Sequence, residues 1–175
     1  MFPIRLLPAT PDLLRRALAG SEALAPWLDG VRVPAGWAEQ RTASFDYTLA
    51  KLQADPSAAA WWTYWLVYEP DRVLVGSGGY HGPPTGAGVV ELGYEVAEHY
   101  QGQGLATRFA AALVALAFQE ARVTTITAHT RAESNASTHV LIKNGFVKVA
   151  DLQDPDDGPL WQWELRRPTF AQKPV

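Results

Sequence analysis

Apolar positions in this chain change period partway along it. From residue 11 they fall at helical spacing, with Pro11 in an opening position and Leu13, Leu14, Ala17 and Leu18 on one stripe. Residues 38–53 carry a second, weaker helical periodicity, and Pro26, Pro34 and Gly36 punctuate the stretch between the two. From residue 61 the pattern turns to strand. Residues 62–68 are rich in aromatic and β-branched side chains, and Pro70-Asp71 is turn chemistry before 73–78, so the two runs predict a hairpin. The segment His-Gly-Pro-Pro-Thr-Gly-Ala-Gly at 81–88 is a loop, and 89–96 reads as a third strand. The clearest helix follows at 105–120, with Leu105, Phe109, Ala112, Leu113, Leu116 and Ala117 on one face. A strand at 124–130 leads to a second helix that Ser134 or Asn135 caps and Asn144-Gly145 stops. Residues 146–150 and 160–165 are two more strands, joined by the turn-rich 151–159. The predicted order is helices, a three-stranded meander, helix, strand, helix and a final strand pair.

Composition narrows the function classes. At 175 residues the chain fits one domain, expected over 1–168 with a frayed tail at 169–175. Fifteen Lys and Arg against eighteen Asp and Glu give a net charge of −3 with no long basic run, which argues against a nucleic-acid partner. The absence of cysteine removes disulfide scaffolds, thiolate zinc sites and cysteine nucleophiles together. No run approaches the roughly 18 apolar residues of a membrane span, and Arg5, Asp12, Arg15 and Arg16 break up any signal-peptide core. A soluble, cytoplasmic protein without a membrane partner is expected. Seven Trp are unusual for this length; Trp61, Trp62 and Trp65 cluster, and Trp161 alternates with Trp163, either as core or as a ligand wall or subunit interface.

The chemistry concentrates in 91–107, where a strand runs through a glycine turn into a helix. Unpaired N–H groups in the first helical turn, with Gly102 and Gly104 allowing close backbone approach, suit a phosphate or pyrophosphate; the alternative is a turn with no ligand. Three phosphate or nucleophile motifs fail. Thr107 stands where a dinucleotide fingerprint needs a third small residue, no Gly-Lys-Ser/Thr exists for a Walker loop, and Val75 occupies the first glycine of a nucleophile elbow around Ser77.

The run Gln101-Gly-Gln-Gly-Leu-Ala106 resembles the Arg/Gln-x-x-Gly-x-Gly/Ala signature of the GNAT superfamily of N-acetyltransferases. The stretch Asn135-Ala-Ser-Thr-His-Val-Leu-Ile-Lys-Asn-Gly-Phe146 resembles the helix typical of its ribosomal-protein N-terminal, or Rim-type, branch. This resemblance implies a mixed α+β fold: a mostly antiparallel sheet of about 6–7 strands with a bulge and a V-shaped splay, and helices on both faces. It also implies acetyl-CoA as co-substrate, an amine acceptor that is a protein N-terminus or a small molecule, and allows a homodimer. By position, the amides around Gln101, Gly102, Gln103, Gly104, Leu105 and Ala106 would hold the pyrophosphate, with the Thr107 hydroxyl beside them. Val96 is the expected bulge, its N–H serving the thioester oxygen, and Asn135 is the expected contact to the cofactor arm.

Acetyl transfer to an amine needs a neutral nucleophile, a stabilised tetrahedral oxyanion and a proton for the departing thiolate, with no covalent enzyme intermediate. Alternation puts Glu91, Gly93 and Glu95 on one face of their strand, and two carboxylates there imply a wet cleft. Glu91 is the first candidate base, acting directly or through water, and Glu95 the second; the competing reading pairs either with an arginine such as Arg131 or Arg108. Many family members place a tyrosine acid where this chain has Leu141. The resemblance to the Rim-type branch transfers the proton-donor role to Ser137, with Tyr94 and Tyr100 in reserve. The four histidines share no metal-ligand spacing with one another or with an acidic partner, and no metal is expected. Asp151, Asp154, Asp156 and Asp157 either attract a cationic acceptor or simply build a turn. Two further readings stay open: a non-catalytic acyl-CoA-binding or regulatory module of this fold, and an interaction protein with a Trp-rich surface.

Overall fold

The computed structural model describes residues 3–168. Among these, seven strands form: β1 (Ile4–Pro8), β2 (Thr63–Tyr68), β3 (Val73–Tyr80), β4 (Val89–Val96), β5 (Thr125–Arg131), β6 (Val147–Asp154) and β7 (Gly158–Arg166). They make one sheet in the order β1-β2-β3-β4-β5-β7-β6, antiparallel throughout except where β4 meets β5. The helices are α1 (Pro11–Leu18), α2 (Ser21–Leu24), α3 (Thr42–Ala54), α4 (Leu105–Ala117) and α5 (Ala136–Lys143). The expected mixed, mostly antiparallel sheet with helices is the architecture found. No helix among the described residues is long and apolar enough to cross a membrane.

Strand β1 has no counterpart among the predicted elements: five residues are too few to display an alternation, and Pro8 reads as a breaker. Proline is tolerated because β1 is an edge strand, pairing only with β2. Helix α1 begins as expected, Pro11 following the Thr10 cap, whose hydroxyl accepts the Leu13 N–H at 3.3 Å. The second predicted helix starts late. Residues Glu39–Arg41 are a tight 3₁₀ turn, and α3 opens only at Thr42. The expected tail, 169–175, lies outside the described residues. Just before it, the Arg167 guanidinium donates to the carbonyls of Phe118, Glu120 and Val123 at 2.6–2.9 Å, capping the segment after α4 and tying down the end of β7.

Period two in the central strands builds a core on each face. Leu66, Val75, Leu92 and Ile126 point to one side with Phe109 and Leu113 of α4 and Leu141 of α5. Trp65, Val67 and Leu74 point to the other, against Leu14 of α1 and Phe45 and Leu49 of α3. The tryptophan cluster therefore divides. Trp65 is wholly buried, with Trp37 edge-on at 5.4 Å and Phe45 tilted at 5.5 Å, whereas Trp62 reaches a cleft described below. Phe45→Ala should empty the centre of the second core and cost about 3–5 kcal/mol, read as a lower urea midpoint with an unchanged slope.

Candidate active site

The site starts from a broken ladder. Strands β4 and β5 pair only from Val89↔Thr125 to Glu91↔Thr127, yet β4 continues to Val96 and β5 to Arg131. On its other side β4 stays paired with β3. His81 N–H donates to the Glu91 carbonyl at 3.0 Å, and Ala97 N–H to that of Val75 at 2.7 Å. Antiparallel alternation between these bonds turns the backbone groups of Tyr94 and Val96 away from β3, toward the gap that β5 leaves. The expected bulge at Val96 does not appear in this pairing, which runs in unbroken register from Tyr80↔Leu92 to Gly76↔Val96. Val96 is instead the last residue of β4, and the splay comes from the departure of β5.

A groove of about 550 Å³ opens from that gap, walled by β4, the glycine turn, α4 and α5. Of the residues the family resemblance singles out, Val96, Gln101, Gly102, Gly104, Leu105, Ala106 and Thr107 line it; Gln103 does not, and its side chain reaches back to the His99 carbonyl. Gly102 and Gly104 hold φ of +73° and +77°, where a β-carbon would meet open space rather than protein. Gly104 is the N-cap of α4 and no side chain caps the helix, so its first-turn N–H groups are left for a ligand. The Gln101 side chain donates to the Val96 carbonyl at 2.9 Å and fixes the turn against the strand end. A pyrophosphate fits this chemistry.

From α5 come Ser137, His139, Val140 and Lys143. Asn135, expected at the cofactor arm, is not part of the wall. Its side-chain oxygen accepts the Thr138 N–H at 3.0 Å while the Thr138 hydroxyl accepts the Asn135 N–H, a reciprocal capping box that starts the helix. Leu141 is buried in the core, so no hydroxyl replaces the missing tyrosine there. Tyr94 is a second hydroxyl on this wall beside Ser137. It lines the groove, donates to the Ser137 carbonyl at 3.4 Å, and burial pushes its pKa well up, keeping it protonated.

A second cleft, of about 730 Å³, lies across β4 between β3 and α3, and Tyr94 and Glu95 belong to both. Arg41, Tyr47, Trp62, His81 and Gly93 line it, but Glu91 does not. The Glu91 carboxylate faces two imidazoles: one oxygen lies 2.9 Å from His129 Nδ1 and 3.1 Å from His81 Nδ1. The His81 contact first, with His129 assisting, outweighs desolvation and holds the Glu91 pKa down to about 2. A carboxylate that acidic is a poor proton acceptor on its own. One expectation is thereby corrected: the arginine that pairs with a strand glutamate is Arg41, on Glu95 at 2.5 Å, rather than Arg131 or Arg108, while Glu91 pairs with two histidines and no arginine. Arg41 is itself fixed by the Trp37 carbonyl at 2.6 Å and stacks on the Trp37 ring. None of the four loop aspartates lines this cleft. Asp154 accepts the N–H groups of Asp156 and Asp157 at 2.9 Å and Asp151 binds Lys148, which is turn and surface chemistry. No group of three or more His, Asp or Glu among the described residues is placed to hold a metal ion.

The model of the acetyltransferase (GNAT) domain family matches residues 4–147, and the chain belongs to that family. No curated protein sequence matches it. Solved structures share the fold. RimJ from Mycobacterium smegmatis, in complex with CoA-disulfide, is 20% identical, with a TM-score of 0.68 over 97% of this chain and 84% of its own. Ribosomal-protein-S5-alanine acetyltransferase from Vibrio fischeri is 15% identical, with a TM-score of 0.66 over 97% and 94%. The aminoglycoside acetyltransferase AAC(6')-Ib in complex with coenzyme A is 19% identical, with a TM-score of 0.63 over 94% and 95%.

The capping role of Asn135 separates from ligand binding by experiment. Asn135→Ala should destabilise the protein by about 1 kcal/mol, and Asn135→Ser, which keeps the cap, by much less, in urea titrations.

Proposed function

We propose that this protein transfers the acetyl group of acetyl-CoA to a primary amine. The carrying observation is that the two clefts meet at Tyr94 and Glu95, beside the strand end where the Val96 backbone is turned from β3. One cleft has the chemistry to hold a pyrophosphate and its attached arm, and the other is open to an acceptor. Acetyl-CoA, when bound, supplies an activated acetyl group as a thioester. The chain's own residues do the rest. First-turn amides of α4 and the glycine turn at Gln101, Gly102 and Gly104 bind the anion, with Leu105, Ala106 and Thr107 behind them. The Val96 N–H is the donor for the carbonyl oxygen as negative charge develops there. Ser137 and Tyr94 bring hydroxyl protons to the groove wall for the leaving sulfur. Proton removal from the acceptor belongs to the second cleft, which the Glu91-bound histidine pair borders through His81. Within the family we assign the chain to the Rim-type branch, on the Asn135-to-Phe146 helix motif, with a protein N-terminal α-amine as the leading acceptor and small amines as the next.

Calorimetry on wild type beside Gly104→Glu tests the cofactor. Micromolar acetyl-CoA binding should be lost in the variant, which puts a carboxylate at the anion site and a side chain at a positive φ. Absence of binding to wild type would overturn the proposal, and binding without thiol release to any amine would make the chain an acyl-CoA-binding module.

A further inference from the structure

On the transferase reading above, we propose that the base that deprotonates the acceptor is His81, with Glu91 as its positioning residue. The carboxylate does not reach the acceptor cleft, whereas His81 lines it. His81 follows directly on β3, and its backbone N–H bonded to the Glu91 carbonyl sets it beside that residue. Its Nδ1 then lies 3.1 Å from the Glu91 carboxylate. An Nδ1 turned to a carboxylate carries the ring proton, which leaves the lone pair on Nε2. That nitrogen leads the ring over Gly93: it lies 3.1 Å from the place a β-carbon of residue 93 would occupy, nearer than the Cδ2 and Cε1 atoms at 3.9 and 4.0 Å. Nε2 thus sits between Glu91 and Glu95 along the cleft face of β4. The His81 side chain is 62% exposed and lines the cleft, while that of His129, on the same carboxylate oxygen from the β5 side, is 28% exposed and does not line it. His129 anchors the carboxylate and His81 works from it.

The proton step balances simply. The acceptor ammonium loses a proton to Nε2; an N–H bond breaks with its electron pair left on the acceptor nitrogen, a new N–H bond forms on the imidazole, and the imidazolium later returns the proton to water. Charged and titratable groups around His81 are Glu91 on β4, His129 on β5 with Asp154 of β6 beyond it, and, along the cleft, Tyr47, Tyr94 and the Arg41–Glu95 pair. Arg41 and Glu95 offset each other, so the carboxylate of Glu91 dominates. It raises the His81 pKa above the ordinary imidazole value against a smaller opposing effect of burial. The sign for activity follows. The neutral, accepting form predominates above that raised pKa, and turnover falls as the pH drops through it.

The test measures kcat/KM against pH for wild type, His81→Gln and Glu91→Gln, with spermidine, kanamycin and a peptide beginning with alanine as acceptors. Histidine titration by NMR and acetyl-CoA calorimetry run on the same proteins. His81→Gln should lose about 100-fold or more in kcat/KM together with the acid limb of the profile, at unchanged acetyl-CoA affinity. Glu91→Gln should lose less, with both the acid limb and the His81 resonance titrating at lower pH than in wild type. A His81→Gln protein that keeps wild-type kcat/KM and its acid limb overturns the assignment, as does a His81 titration that Glu91→Gln leaves in place. If wild type binds acetyl-CoA but acetylates none of the three acceptors, the transferase reading itself fails and the base assignment goes with it; that outcome is visible before any variant is made.

Discussion

Everything in the site follows from a hydrogen-bond ladder that stops early. Three parallel register pairs hold β4 to β5, and beyond Glu91 the strands part while both continue. In a closed sheet the backbone of Tyr94 and Val96 would be satisfied by a neighbouring strand. Here it faces a groove, and an unpaired backbone donor in a partly dry place is costly to the fold unless something accepts from it. The opening is also braced rather than loose. The Asn144 amide donates to the carbonyls of Thr107 and Val140, at 3.1 and 2.9 Å, tying the end of α5 to the start of α4 across the groove. The sheet thus gives up a few internal bonds to present pre-positioned donors, the arrangement that electrostatic stabilisation of a developing oxyanion requires.

The second consequence of the same strand is electrostatic. Glu91 and Glu95 both lie on one face of β4, near the middle of a seven-stranded sheet, Glu91 half-buried and Glu95 more exposed. Each is compensated differently. Glu95 meets a permanent cation, Arg41, whose side chain is nearly buried and locked by Trp37. Glu91 meets two imidazoles, His129 Nδ1 at 2.9 Å and His81 Nδ1 at 3.1 Å. One carboxylate is therefore paired with a guanidinium and the other with imidazoles, the side-chain type suited to exchanging a proton near neutrality.

Local patterns make half of this legible in the sequence. Strand β4, helix α4 and the capped start of α5 carry strong periodicity, a two-glycine turn and a cap within a few residues of one another, so the elements that wall the groove are legible locally, while the resemblance to the family, not the pattern, is what attaches a cofactor to particular residues. What local pattern does not encode is register between distant strands. His81, Glu91 and His129 are 10 and 38 positions apart, and they converge because β3 and β5 flank β4 in a particular alignment. Arg41 gives no signal either, since its partner lies 54 residues away on another element. Asn135 is ambiguous for a different reason: asparagine before a helix serves equally as ligand or as cap, and the Thr138 bonds show the cap.

Glycine at position 93 shows how the two halves of the site depend on each other. By period two it shares the cleft face with Glu91 and Glu95, so any side chain there would fill the space between the carboxylates. Because none does, a ring from outside the strand lies over the backbone instead, and the cleft face of β4 carries an imidazole that β4 itself does not contribute. On the opposite face the same stretch carries Leu92 and Val96, packed into the α4 core. One strand therefore anchors the core on one side and leaves room on the other. That room lets a residue placed by β3 lie over the same strand whose backbone donors open toward the groove.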